Sequence, residues 1–168
     1  MPLGDTLARI DADLAAGRVP VARQRLRGLV SSFPNDLNLR RRLAETYRLY
    51  GEPAEAGRWM YLEADRDAAE TAAFESRFRT AHQRMRALAW RGPESLAGTA
   101  FAGEQLAAVR AACSDALGHP VDWDSAPTGR EPEGKRGAFA GFLAGAGRVV
   151  AVVAFLAIWV NGLVALFD

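Results

Sequence analysis

The chain has 168 residues, a formal net charge of +1 and one cysteine, Cys113. A length of that order leaves room for one modest core, and a lone cysteine excludes an internal disulfide and agrees with a reducing compartment. The near-neutral total hides an asymmetry: residues 18–48 carry eight arginines against Asp36 and Glu45, whereas residues 49–70 carry six acids against Arg58 and Arg66.

Residues 1–5 hold neither a basic nor an apolar run, so no secretory signal peptide is expected. A first helix is predicted from Asp5 as its N-cap, burying Leu7, Ile10 and Leu14 at helical spacing and stopping at Gly17. Pro20 opens a second, at a position where its missing N–H does no harm, with Ala22, Leu26, Leu29 and Val30 as the apolar stripe and Phe33-Pro34 as the end. Asp36 caps a third helix, which carries Leu39, Leu43, Ala44, Tyr47 and Tyr50 inward and ends at Gly51. Pro53 opens a fourth, with Ala56, Trp59, Met60 and Leu62 for burial.

These four helices repeat. Gly17 and Gly51, Ala22 and Ala56, and Leu26 and Met60 are each 34 residues apart, the tetratricopeptide period, and the two alanines fall where paired helices should approach most closely. With Leu43-Ala44, Tyr47, Gly51, Ala56 and Pro34 as landmarks, residues 5–65 resemble two tetratricopeptide repeats, although Asp13 stands where a tyrosine is common. The stretches 7–14, 22–29 and 43–51 are also similar to an uncharacterised family of high-GC Gram-positive bacteria, a domain of unknown function, and that resemblance implies no activity. The abundance of Ala, Arg and Gly beside a single lysine fits such a coding bias.

Past residue 65 the period fails, because 34 positions beyond Ala56 lies Trp90. Residues 66–117 are expected to be degenerate capping helices: a strongly helical stretch from Ala68 to Trp90, a break at Gly92-Pro93, and a last helix from about Glu104 to Leu117 with Leu106, Val109 and Cys113 on its buried side. Residues 118–136, with Pro120, Pro127 and Pro132 among acids, read as a flexible linker. Residues 137–168 read as a membrane anchor, since residues 149–167 carry no charge and Asn161 is their one strongly polar side chain. The twelve Val, Leu, Ile and Phe residues there favour insertion by roughly 4–7 kcal/mol together. Counting from Arg148 gives about 30 Å of helix with Arg148 at the interface; a span starting near Ala138 would bury that cation in the bilayer. Lys135, Arg136 and Arg148 all precede the segment, which predicts a tail-anchored, single-pass protein of the cell inner membrane with its N-terminal domain in the cytoplasm. The fold class expected is thus all-α: tetratricopeptide-like hairpins with capping helices, a flexible linker and one C-terminal transmembrane helix.

No catalytic, cofactor-binding or metal-ligating constellation is legible. His82 and His119 lie apart with no Cys or carboxylate at ligand spacing, and no phosphate loop, G-x-S-x-G or H-E-x-x-H occurs. The function expected is non-enzymatic, without cofactor: an adaptor, scaffold or accessory subunit that binds a cytoplasmic or membrane protein, acidic if the arginines line the groove. The partner-binding candidates are Arg23, Arg27, Arg40, Arg41, Arg42, Tyr50 and Tyr61. The rival expectation is charge-driven binding of anionic lipid headgroups, with nucleic acid less favoured because aromatic interleaving is weak. Gly137, Gly141 and Gly145 recur every four residues and would let membrane helices pack closely, allowing self-association.

Overall fold

The computed structural model describes residues 3–124, and among these it contains seven α-helices, one 3₁₀ turn and no strand. The helices are α1 (Leu3–Ala15), α2 (Val19–Ser32), α3 (Leu37–Arg48), α4 (Pro53–Met60), α5 (Ala68–Arg77), α6 (Ala81–Leu88) and α7 (Ala100–Leu117), with the 3₁₀ turn at Glu94–Leu96. All belong to one unit, Met1–Ala126; the second unit, Pro127–Asp168, lies outside the described residues.

Local chemistry explains most of the boundaries. Gly17 and Gly51 both take left-handed backbone, with φ of +70° and +66°, and each ends a hairpin's first helix where a side chain would be strained. A proline stands in the first turn of both α2 and α4. The Asp36 carboxylate accepts from the Leu39 amide at 3.1 Å, Asp67 caps α5 in the same way, and Thr80 with Gln83 closes a capping box on α6. That capping box divides the stretch expected as one helical run into α5 and α6. Thr99 caps α7, so the last helix begins at Ala100 rather than near Glu104.

From α1 to α5 each helix packs against its neighbour in the chain, and α6 packs on α7 and touches α4. The first core gathers Ile10, Ala22, Leu26, Leu43, Tyr47, Ala56, Trp59 and Met60; Ala22 and Ala56 are fully buried. A second core runs from Tyr61 and Leu62 through Phe74, Met85, Leu88 and Trp90 to Leu106 and Cys113. Helices α4 and α5 approach closely at Gly57. A Cβ on Gly57 would overlap the Glu70 carbonyl oxygen and lie 2.5 Å from its carbon.

Polar bolts join the hairpins to the end of α6. The Asn35 amide donates to the Arg91 carbonyl at 2.6 Å and accepts from the Arg91 amide at 3.2 Å. Arg40, fully buried, donates to the carbonyls of Pro34 at 2.7 Å and Leu88 at 2.6 Å, and Arg58 donates to the Ala87 carbonyl.

The residues expected to begin the linker are packed as far as Asp124. Val121 and Trp123 are buried in the second core, the Trp123 indole donates to Glu94 at 3.0 Å, and Asp124 accepts from the Gly92 amide. Two large apolar side chains outweighed the local Pro, Gly and acid content. Burial pushes the Glu94 carboxyl up, but Arg110, its own backbone and Trp123 outweigh it, and the carboxyl sits below its usual range.

Among the described residues no helix is long and apolar enough to cross a membrane; residues 149–167, Arg148 and the glycines Gly137, Gly141 and Gly145 lie outside them.

One position stores strain. Ala89 ends α6 at φ +50°, ψ 37°, and is exposed. Left-handed backbone costs a residue with a Cβ about 1–2 kcal/mol, whereas glycine's extra freedom in the unfolded chain costs about 0.4–1. Ala89→Gly is therefore expected to stabilise the protein by about 0.5–1 kcal/mol, read as a melting point raised by a few degrees; an unchanged or lowered value would show that this turn is not strained.

Candidate interaction surface

The arginine-rich stretch of residues 18–48 does not form one continuous basic face, because the fold spends most of its cations internally. Arg41 of α3 forks onto Asp65, at 2.7 and 2.9 Å, and also reaches Glu63 at 2.9 Å. These hydrogen bonds hold the Arg41 guanidinium well above its ordinary value and the Asp65 carboxyl below its own. Arg42 pairs with Asp11 of α1, and Arg48 with Glu70 of α5 at 2.6 and 2.7 Å. Arg18 and Arg25 converge on Asp13, which is buried on α1. Asp13 is thus a carboxylate that neutralises two arginines of the following helix and turn.

Arg40 corrects the expectation most sharply. Of three consecutive arginines it is the one turned into the protein, with none of its surface exposed, so it touches no partner. Burial and the neighbouring positive Arg58 lower its guanidinium to about 9, and it keeps its charge at neutral pH. Tyr61, expected in the groove, is 7% exposed; its hydroxyl donates to Glu75 at 3.1 Å and its ring packs on Phe74 with centroids 5.0 Å apart. Burial, then Glu75, pushes its phenol up.

The remaining candidates come together at one corner. Arg23 lies over Tyr50, its guanidinium carbon 4.4 Å from the ring centroid, and 5.8 Å from that of Tyr47. Tyr50 is 37% exposed, and the adjacent Leu49, which the sequence reading did not select, is 67% exposed. Arg27 stands one turn along α2 from Arg23 and is exposed. Neither arginine pairs with a carboxylate among the described residues.

Elsewhere the chemistry is structural. Cys113 is buried and its thiol is pushed up by that burial, which removes the thiolate a nucleophile needs. No group of His, Cys, Asp and Glu among the described residues could hold a metal ion. Arg66, between the rings of Tyr61 and Phe101, donates to the Tyr61 carbonyl and to Gln105 and so ties α7 to the end of α4.

The chain belongs to a family of unknown function (DUF6584), which matches it over residues 1–168. No curated protein and no solved structure matches it.

Proposed function

We propose that this DUF6584 member is a non-enzymatic membrane adaptor or accessory subunit: a tetratricopeptide-like stack of helical hairpins that binds another protein, held at the cytoplasmic side of a bacterial inner membrane by residues 149–167. The observation that carries the interaction reading is the packing order. Helices α1 to α5 pack successively on their chain neighbours, with left-handed Gly17 and Gly51 and fully buried Ala22 and Ala56 in register, which is the construction of repeat proteins that expose an extended binding face. The anchor rests on the uncharged apolar run, long enough for about 30 Å of helix. The rival, charge-driven reading draws less support, because Arg18, Arg25, Arg41, Arg42 and Arg48 are already paired within the molecule.

Crosslinking the full chain in cells, followed by isolation under denaturing conditions, tests the adaptor: one reproducible protein partner is expected, and none would refute it. Fractionation tests the anchor. The intact chain should stay in the membrane pellet through alkaline carbonate while a chain ending at Arg130 stays in the supernatant; release of the intact chain would sink the anchor.

A further inference from the structure

The internal pairing leaves a small, defined remainder of the basic segment. Arg23 and Arg27 lie four residues apart on α2, where like charges repel, and neither has a carboxylate partner among the described residues. Burial lowers the Arg58 guanidinium against the pull of Glu55, and Arg27 adds a small push in the same direction. The partly exposed ring of Tyr50 lies under Arg23, and the preceding residue, Leu49, is exposed. Buried aromatic and arginine anchors bordered by apolar surface are what protein interfaces use for their strongest contacts.

Resting on the adaptor reading, we propose that Arg23, Arg27, Tyr50 and Leu49 form a docking spot for an acidic protein segment, one that sets carboxylates against the two arginines and an apolar side chain against Leu49. The contact with the Tyr50 ring, whose centroid lies 4.4 Å from the guanidinium carbon, already restricts the Arg23 side chain, so meeting a carboxylate costs less further rotamer freedom. Charge complementarity selects the occupant. A lipid surface is a poor fit, because anionic bilayers hold clusters of about four to eight basic residues, and this spot offers two. A single-stranded nucleic acid is a poor fit as well, since it needs an aromatic face on which to stack, and Arg23 covers that of Tyr50.

The test uses the full chain in detergent micelles and three probes: short fluorescent peptides alternating Glu and Leu, the same peptides with Gln for Glu, and phosphatidylglycerol vesicles. The Glu-Leu peptide should bind, more weakly at high salt, and the Gln version should not. Arg23→Ala with Arg27→Ala should weaken binding about tenfold or more, the scale of losing hydrogen bonds to a charged group. Arg27→Gln alone, at an exposed position that leaves packing intact, should weaken it less. Arg42→Gln, whose parent guanidinium is tied to Asp11, should change it by less than about twofold. Equal binding of the Gln peptide, indifference to the double substitution, or binding of the vesicles alone would overturn the proposal. A crosslinked cellular partner that survives the double substitution would overturn it too while leaving the adaptor reading intact, whereas absence of any partner for the wild type would end both.

Discussion

Gly57→Ala is expected to cost about 3 kcal/mol or more, a large part of a stability of roughly 5–15 kcal/mol, although alanine is the better helix former. The added methyl would run into the main chain of α5, with the Glu70 carbonyl carbon 2.5 Å and the Thr71 nitrogen 3.1 Å away. Backbone cannot rotate aside as a side chain can. The α4 and α5 helices would have to part, exposing apolar surface from Trp59, Met60 and Phe74. Gly28 of α2 supplies the opposite case, because its added Cβ meets nothing within 4 Å; Gly28→Ala should stabilise by about 1 kcal/mol. Thermal melts of the two variants, followed by circular dichroism, should move in opposite directions, and a Gly57→Ala melt at or above wild type would show that the helices are further apart than described.

Arg40→Ala should be nearly as damaging. The substitution leaves the Pro34 and Leu88 carbonyls without their donor, at about 1–3 kcal/mol each, and opens a cavity where a fully buried side chain had been. Removing a buried cation with no carboxylate beside it returns part of that cost, so a net loss of about 3 kcal/mol is expected. Arg40→Met separates the contributions: it fills much of the space and removes the charge but still leaves both carbonyls unmet, and it should fall between wild type and alanine. Denaturant midpoints in that order would support the account; an alanine variant as stable as wild type would reject the buried geometry.

The first four helices were legible because their signals are local. Pro20, Asp36 and Pro53 act on their own turn of backbone, Gly17 and Gly51 mark the positions that turn left-handed, and the 34-residue spacing places Ala22 and Ala56 inside. The boundary between α5 and α6 was equally local and could have been found, since Thr80 and Gln83 spell a capping box. Val121 and Trp123 likewise carried an apolar signal that the surrounding prolines and acids obscured.

The candidate site was less legible, because the fate of an arginine depends on residues far along the chain. Helical spacing puts Arg40, three, four and seven residues before Leu43, Ala44 and Tyr47, on the inward stripe and turns Arg41 away from it. The partners that receive them nevertheless lie far along the chain: Leu88, 48 positions from Arg40, and Asp65, 24 positions from Arg41. Gly57 reads locally as a weak point in a helix, and only the path of α5 turns it into a requirement.

The crossing from residues 34–40 to residues 87–91 bears on how such a protein can change in length. An open repeat array gains or loses units by duplication, because each unit answers only to its neighbours. Here Asn35 clasps Arg91 across 56 positions and Arg40 reaches the end of α6, so a hairpin inserted between them would have to be spanned by the same two side chains. The clasp therefore ties the α3 end of the first core to the end of α6, and helices cannot be added between them without lengthening the path that these two side chains close.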